Sequence, residues 1–181
     1  MEHRPGRPRR PDVEAAVRAA TVRLVAQRGY DGTTLDQIAR EAAVAKTTVY
    51  RRWDSKADLV LDALVDVLGE PPLPTGGGEL RETVGWLAAR IGDPAVHQLL
   101  VGLVGEAVAD PAVRSALRQR IRQPFEVRLM AAWGAGPADV DLAFDVVVGS
   151  LLHHAALAGS IDARVVDTVT EVAVRLLTGE A

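Results

Sequence analysis

The amino-acid sequence predicts an all-α protein of about nine helices. Apolar residues recur at three- and four-residue spacing through most of the chain. Glycine and proline concentrate at the junctions between these segments, where they begin or end helices. The chain has 181 residues, 48% of them hydrophobic, so it can bury a substantial core. We expect an N-terminal unit of short helices and a larger C-terminal helical unit.

The first two helices have clear ends. Helix 1 is predicted from about Asp12 to Arg28 and is closed by Gly29. Thr34 and Gln37 have the spacing of a capping box, in which each side chain satisfies a free backbone N–H at a helix start. The apolar stripe that follows this box indicates a short helix 2 with one buried face, ending near Ala42.

A third helix follows after a turn of three residues, 43–45. Its apolar members Val49 and Trp53 are four residues apart and predict a buried seam. The other positions are left for a partner. In a helix-turn-helix, the second helix enters the major groove of DNA. The alternative is an ordinary solvated helix face over a buried seam.

The residue types on the outer face suit DNA, because Arg and Lys match guanine acceptors while hydroxyl groups bind phosphate. We expect base-edge contacts from Lys46, Thr47 and Arg51. We expect backbone contacts from Thr34, Thr48, Tyr50, Arg52 and Lys56.

Upstream, residues 3–11 contain four Arg, three Pro and one Gly. Such a segment has little apolar surface to bury, so residues 1–11 are predicted to be a flexible basic arm. Its Arg7 and Arg9 are expected to contact DNA along the backbone or in the minor groove. The alternative is a solubilising tail without a DNA role.

Charge is distributed unevenly along the chain. The formal charge of residues 1–56 is +5 and that of residues 57–181 is −8, for a net charge of −3. A basic end attracts phosphate, while an acidic remainder discourages nonspecific adhesion. We therefore expect DNA binding that weakens steeply with salt.

The motif resembles the DNA-binding domain of the TetR (tetracycline repressor) family of bacterial transcription regulators. The resemblance covers roughly the first third of the chain and rests on Gly29-Tyr30, Thr33-Thr34, Ile38-Ala39, Val44, Thr48-Val49-Tyr50, Trp53 and Ser55-Lys56. Two positions depart from it, since members often have Gly in the turn and Ser at the start of helix 3, where this chain has Ala43 and Ala45. A left-handed Ala costs about 1 kcal/mol, and a missing cap costs about the same.

Helix 4 is predicted to begin at Ser55, with Asp58 as its capping partner, and to end at Gly69. A breaker-rich stretch follows and separates two units. The predicted boundaries are 12–68 for the DNA-binding domain with its connecting helix, 69–78 for the linker and 79–181 for a ligand-binding and dimerisation domain.

Five more helices are predicted in the C-terminal domain. Helix 5 spans about residues 79–92, and the pairs Asp93-Pro94 and Asp110-Pro111 open helices 6 and 7. Pro124 should break or kink helix 7, which ends at Gly134. Helices 8 and 9 are separated by Gly159-Ser160.

Helices 8 and 9 are apolar on more than one side, which suggests a homodimer built as a two-fold four-helix interface. The resemblance implies the same, because family members dimerise through their last two long helices. The predicted interface residues are Phe144, Val147, Val148, Leu151, Leu152, Val165, Val169 and Val172. The alternative is a fully buried hairpin in a monomer.

The resemblance also implies a small-molecule pocket in the middle helices, whose occupation moves helix 4 and the DNA-binding helices. Residues large or polar enough to line it are Trp86, His97, Leu100, Val104, Phe125 and His153. The alternative for each is plain core packing. These residues do not identify the effector.

The sequence argues against an enzyme. It has no phosphate-binding glycine loop followed by Lys, and no Gly-x-Ser-x-Gly motif. His153 and His154 are adjacent and diverge on a helix, so no metal or cofactor is expected. The absence of Cys suits a reducing cytoplasm. We expect a cytoplasmic repressor released by an effector from operator DNA; the alternative is a DNA-binding or architectural protein without small-molecule control.

Overall fold

The computed structural model describes residues 10–72 and 77–179, and within these ranges the chain is all-α, which confirms the predicted class. Its nine helices are α1 (Arg10–Arg28), α2 (Leu35–Glu41), α3 (Lys46–Tyr50), α4 (Lys56–Leu68), α5 (Gly77–Ile91), α6 (Pro94–Ala109), α7 (Pro111–Leu117, continued by Arg118–Arg122 and Gln123–Trp133), α8 (Pro137–Ala158) and α9 (Ala163–Thr178).

The predicted starts of α6 and α7 and the predicted end of α7 are confirmed. Asp93 and Asp110 cap α6 and α7, each before a proline in the first turn, and Gly134 ends α7 in the left-handed conformation. Helix α5 begins two residues earlier than expected, at Gly77.

Helix α1 also begins earlier than predicted, at Arg10 and not at Asp12. Proline is tolerated in the first turn of a helix, so Pro11 does not prevent this start. The predicted DNA contacts Arg7 and Arg9 lie outside the described residues, as do residues 73–76 of the predicted linker.

Pro124 affects α7 in a specific way. The five residues before Gln123, Arg118–Arg122, form a π-helical segment, and the helix then continues to Trp133. Proline lacks an N–H and clashes with the carbonyl group four residues earlier. A wider turn removes that clash and leaves the helix unbroken.

Two hydrophobic cores organise the fold. The smaller core joins α1 to α4 and contains Val17, Ala20, Leu24, Ile38, Ala39, Val49, Trp53 and Leu59. The larger core fills the C-terminal unit and also includes Val60, Leu61 and Leu64 of α4. Helix α4 therefore packs into both cores, and it fixes the N-terminal unit to the rest of the chain together with Val25 of α1 and Tyr30, which also belong to the larger core.

The packing of the C-terminal unit places two helices against the N-terminal unit. Helix α6 packs against both α1 and α4, while α7 makes a smaller contact with α4. Helices α8 and α9 form the most extensive helix pair, and both also pack against α5. Helix α8 is long and apolar enough to cross a membrane by length and composition alone, and a single such helix is weak evidence of a membrane span.

Candidate nucleic-acid interface

The start of α2 is held by the predicted capping box. The Thr34 hydroxyl accepts a hydrogen bond from the Gln37 N–H at 3.3 Å, and the Gln37 side chain accepts one from the Thr34 N–H at 2.9 Å. Thr34 is exposed, and its hydroxyl hydrogen remains available as a donor. The cap fixes where α2 begins and leaves Thr34 able to bind a phosphate.

The turn between α2 and α3 contains both alanines that depart from the family pattern. Ala43 has φ +54°, the only positive φ at a non-glycine position in the described residues. Ala45 is the N-cap of α3 and offers no side-chain hydrogen bond. The left-handed conformation of Ala43 and the missing side-chain cap at Ala45 each lower the stability by about 1 kcal/mol, and the packing of the domain offsets both costs.

The predicted seam of α3, formed by Val49 and Trp53, is buried. Val49 and Trp53 are at most 5% exposed and pack in the small core with Ile38 and Leu59. By contrast, the side chains of Lys46, Thr47, Tyr50 and Arg51 are exposed. The sequence spacing of Val49 and Trp53 thus determines which side of α3 is presented to solvent.

The outer side of α3 carries two groups that are free of protein partners. Thr47 and Arg51 are exposed and make no side-chain hydrogen bond or ion pair within the described residues. Thr48 is half-buried. A free guanidinium group and a free hydroxyl group at a helix surface are donors of the kind that read base edges.

Asp36 of α2 holds two further residues of this surface. Its carboxylate forms an ion pair with Lys46 and accepts a hydrogen bond from the Tyr50 hydroxyl at 3.3 Å. The hydrogen bond from Lys46 is the main reason that the pKa of Asp36 lies below its usual value. Sequence analysis did not single out Asp36, since an acidic residue in the first turn of a helix is common for electrostatic reasons.

The structure gives Arg52 and Lys56 partners inside the protein. Arg52 donates to Glu14 of α1 at 2.9 Å, and its side chain is only 18% exposed. Lys56 donates to the Tyr30 carbonyl at 3.0 Å and lies 3.9 Å above the Tyr30 ring. Both cations therefore support the N-terminal unit, whereas sequence analysis placed them on the DNA backbone.

The end of the recognition helix is tied to α4 and α7 by one carboxylate. Asp62 accepts hydrogen bonds from the Trp53 indole at 3.3 Å, from Arg18 at 3.4 Å and from Arg120 at 2.8 Å. Arg120 also donates to Asp58 at 3.4 Å. We call these five residues the Asp62 cluster. It joins the N-terminal unit to the π-helical segment of α7.

A second junction lies at α6. Tyr30 is 6% exposed, and a Cβ atom built on Gly102 would lie 2.3 Å from the Tyr30 Cβ atom. Burial raises the pKa of the Tyr30 hydroxyl, and the charge and hydrogen bond of Glu106 add to the effect. Glu106, which lies on an otherwise apolar helix, thus has a partner in the N-terminal unit.

The residues predicted to line a ligand pocket are only partly brought together. Trp86 and Phe125 line one cavity of about 520 Å³ between α4, α5 and α7, which we call the α4–α7 cavity. The other four predicted residues lie elsewhere. Leu100 is in the core and His97 is half-buried on α6, while Val104 and His153 are exposed.

Two other cavities suit a ligand less well. The space beside Phe144 deep in the C-terminal unit holds about 30 Å³, which is comparable to one water molecule. The cleft of about 600 Å³ beside Tyr30 is lined by glycines of α6 and by the charged side chains of Arg28, Asp31 and Glu106, and Tyr30 is the single aromatic residue in its lining. The α4–α7 cavity has both the volume and the aromatic walls typical of small-molecule sites.

The eight predicted interface residues on α8 and α9 also divide. Val147, Leu151 and Val169 are buried in the core of their own chain, so these three are not available to a partner. The excess of apolar residues there partly serves the packing of α5 against the α8–α9 pair. The others are half-buried or exposed: Phe144, Val148, Leu152, Val165 and Val172.

A recognition helix with free base-reading donors, positioned by a capped helix and a short turn, defines a helix-turn-helix DNA-binding protein. The family of bacterial regulatory proteins of the tetR type matches residues 17–63. The DNA-binding transcriptional repressor TetR of Mycobacteroides abscessus is 33% identical over 177 residues, which cover 89% of this chain and 93% of that protein. The chain therefore belongs to the TetR family, and it is a transcriptional regulator and not an enzyme.

Solved structures share the fold at low sequence identity. Salmonella enterica GusR superposes with a TM-score of 0.73 at 16% identity, over 94% of this chain and 97% of that chain. The multidrug binding protein EbrR, solved in complex with imidazole, gives a TM-score of 0.67 at 20% identity, over 94% and 96% of the two chains. The shared fold thus extends over 94% of the chain and is not confined to the N-terminal unit.

Proposed function

We propose that this chain is a cytoplasmic, homodimeric repressor that reads a two-fold operator with α3 and is released by a small molecule. The free, exposed side chains of Thr47 and Arg51 beside the buried Val49 carry the proposal. Two α3 helices in successive major grooves would lie about 34–36 Å apart. Lys46 and Tyr50 would join them at the DNA surface, with Thr34 on the phosphate backbone.

Arg51 and Arg52 provide a matched test of how α3 faces DNA. The operator is first selected from genomic fragments with the purified protein. Arg51→Ala should then weaken operator binding by about 1–3 kcal/mol and relax the preference at one base pair. Arg52→Ala removes the ion pair with Glu14, so it should lower the free energy of unfolding and leave base preference unchanged. If Arg52→Ala changed the base preference and Arg51→Ala did not, a different side of α3 would face DNA.

An exposed face of α8 and α9 supports the dimer. Leu142, Leu157 and Val172 are between 41% and 77% exposed. Along α8 this face includes the small residues Gly149 and Ser150, which allow another helix to approach closely. Exposed apolar side chains beside small residues are typical of helix–helix interfaces. The face fits a second copy in a two-fold four-helix arrangement.

Substitutions at Val172 and Val108 distinguish an effect on the proposed interface from the general effect of adding a charge to the surface, because both residues are exposed valines on helices. Val172→Glu places charge in the proposed interface and should give a monomeric mass by light scattering at micromolar concentration. Val108→Glu on α6 lies outside it and should leave the mass of a dimer. A monomeric mass for the unaltered chain would refute the dimer directly.

The effector is proposed to occupy the α4–α7 cavity. Val65 and Leu68 of α4 line it together with Trp86 and Phe125, so a ligand there touches the helix that carries the N-terminal unit. The complex of EbrR with imidazole shows that a protein of this fold accommodates a small molecule. Release requires that the ligand bind the DNA-free conformer more tightly than the DNA-bound conformer. DNA must then weaken ligand binding by the same factor by which the ligand weakens DNA binding.

Trp86→Ala tests the effector proposal without altering the DNA surface. A compound that lowers operator affinity of the unaltered protein should lose this effect in the variant, while operator affinity without the compound is unchanged. If no compound that binds the chain changes operator affinity, the protein is a regulator without small-molecule control.

A further inference from the structure

The α4–α7 cavity has two guanidinium groups in an otherwise mostly apolar wall. Arg120 and Arg128 of α7 both line it, and the single carboxylate in the lining is Glu70. Arg128 is exposed and has no hydrogen bond or ion pair within the described part of the chain. A guanidinium group binds a planar acid through two parallel hydrogen bonds. The wall therefore offers a site for an acidic group next to aromatic surface.

Arg120 is held in a way that permits exchange. Its two terminal nitrogens donate to Asp58 and Asp62, whereas its Nε atom has no partner in the described residues. The Arg120 side chain is 35% exposed, and those of Asp58 and Asp62 are 38% and 29% exposed, so water weakens both ion pairs. An acid in the cavity can contact Arg128 as well as Arg120, because both guanidinium groups line the cavity and Arg128 has no other partner in the described residues. An acid in the cavity therefore competes effectively for Arg120.

We propose that the α4–α7 cavity binds a small molecule with an apolar body and one acidic group, and that this acid draws Arg120 away from Asp58 and Asp62. The apolar body lies against Trp86 and Phe125, and the acid contacts Arg120 and Arg128. The inference rests on the proposed function, because it names the chemical class of the effector and the contact through which the effector acts.

The remaining partners of Asp62 explain how the signal reaches DNA. Arg18 belongs to α1 and Trp53 follows α3, so both lie in the N-terminal unit together with Asp62 itself. Only Arg120 comes from the C-terminal unit. Loss of the Arg120 contacts with Asp58 and Asp62 thus removes the ion pairs between the N-terminal unit and α7, while the internal bonds of that unit stay intact. The two recognition helices of a dimer can then change their spacing as rigid bodies.

Two fluorescent probes with the same kind of apolar body test the ligand class. One is 8-anilinonaphthalene-1-sulfonate, which is an anion, and the other is N-phenyl-1-naphthylamine, which lacks the sulfonate group. We expect saturable binding of one sulfonate probe per chain, about tenfold tighter than the neutral probe, in line with one charge-assisted contact. Equal affinities, or fluorescence that rises without saturation, would overturn the proposal.

Three variants of α7 assign the contact. Arg120→Gln and Arg128→Gln should each weaken the sulfonate probe by several-fold up to about tenfold and leave the neutral probe unchanged. Arg114→Gln is the control, because Arg114 is exposed on the same helix and does not line the cavity. Thermal unfolding must show that all three variants are folded. Unchanged affinity of the sulfonate probe for both cavity variants would contradict the assignment.

The indole N–H signals in a nitrogen–proton correlation spectrum report the displacement of Arg120. The chain has three tryptophans, and Trp86 and Trp53 report the cavity and the Asp62 cluster respectively. Saturation with the sulfonate probe should shift both signals in the unaltered protein. In Arg120→Gln the Trp53 signal should start displaced and barely move. A Trp53 signal that stays fixed while Trp86 shifts would refute the displacement.

Operator binding separates this inference from the proposed function. If the sulfonate probe binds through Arg120 and shifts Trp53 but operator affinity stays constant, release by an effector is wrong and the ligand class stands. If operator affinity falls equally with the neutral probe, the cavity controls DNA binding but the acidic class is wrong.

Discussion

The N-terminal unit meets the C-terminal unit at two junctions of different chemistry. At α6 the Tyr30 side chain packs directly on Gly102, and the contact is buried. Position 102 has no room for a side chain, because a Cβ atom there would overlap Tyr30. At α7 the contact is ionic and partly exposed, and it depends on Arg120 meeting Asp58 and Asp62. The first contact is set by shape, and the second is set by charge.

This difference assigns separate roles to the two junctions. A close-packed contact resists displacement, because any shift opens a void or forces an overlap. An exposed ion pair exchanges one partner for another at a cost of about 1 kcal/mol or less. We therefore expect the N-terminal unit to pivot at Tyr30 and Gly102 while the contact at Asp62 is made or released.

Gly102 provides the largest expected effect. Gly102→Ala should lower the free energy of unfolding by about 1–3 kcal/mol, because the added Cβ atom overlaps the Tyr30 ring. Gly105→Ala, on the same helix with nothing within 4 Å, should instead raise it by about 0.5–1 kcal/mol. Urea unfolding of both variants measures the difference. Equal effects would show that Tyr30 is not packed on α6 in this way.

Asp62 provides the next effect. Asp62→Ala removes the acceptor of Trp53, Arg18 and Arg120, so it should destabilise the protein by about 1–2 kcal/mol. Asp66 pairs only with Arg18, and its side chain is 57% exposed. Asp66→Ala should therefore change the stability by less than about 0.5 kcal/mol. Similar urea midpoints for the two variants would argue against an Asp62 cluster.

Tyr30 provides the smallest effect, and it appears only at high pH. The folded state raises the pKa of the hydroxyl above its usual value near 10, so the unfolded chain loses the proton first. Stability from this group is complete below pH 10 and is lost as the pH rises further. Tyr30→Phe should show a shallower decline between pH 10 and 11, by up to about 1 kcal/mol. Parallel declines in urea unfolding would show that the folded state does not raise the pKa of the Tyr30 hydroxyl.

The elements that sequence analysis predicted correctly depend on neighbouring residues. The capping box at Thr34, the seam of Val49 and Trp53, and the proline-led starts of α6 and α7 all involve residues within four positions of one another. Helix periodicity and capping act at that range, so a single sequence contains the information. The strained turn at Ala43 was indicated by the family resemblance, because members often have Gly at this position, and not by local spacing.

The features that sequence analysis missed depend on distant residues. Arg52 lies on the outer face of its helix by periodicity, but its partner Glu14 is 38 positions away. Arg120 and Asp62 are 58 positions apart, so nothing local connects them. Val147 and Leu151 were assigned to a partner because α8 is apolar on several sides, whereas their own chain covers them. Apolar character alone does not say which surface buries a side chain.

The separation between the two N-terminal units of a dimer tests the role of the ionic junction most directly. The chain has no cysteine, so Ala19→Cys on the exposed side of α1 accepts one spin label per protomer. Pulsed electron–electron double resonance spectroscopy then measures the distance between the two labels. We predict a narrow distribution for this protein and a broader, displaced distribution when Arg120→Gln is added, with Arg114→Gln as the unaffected control. Superimposable distributions with and without Arg120 would contradict the account.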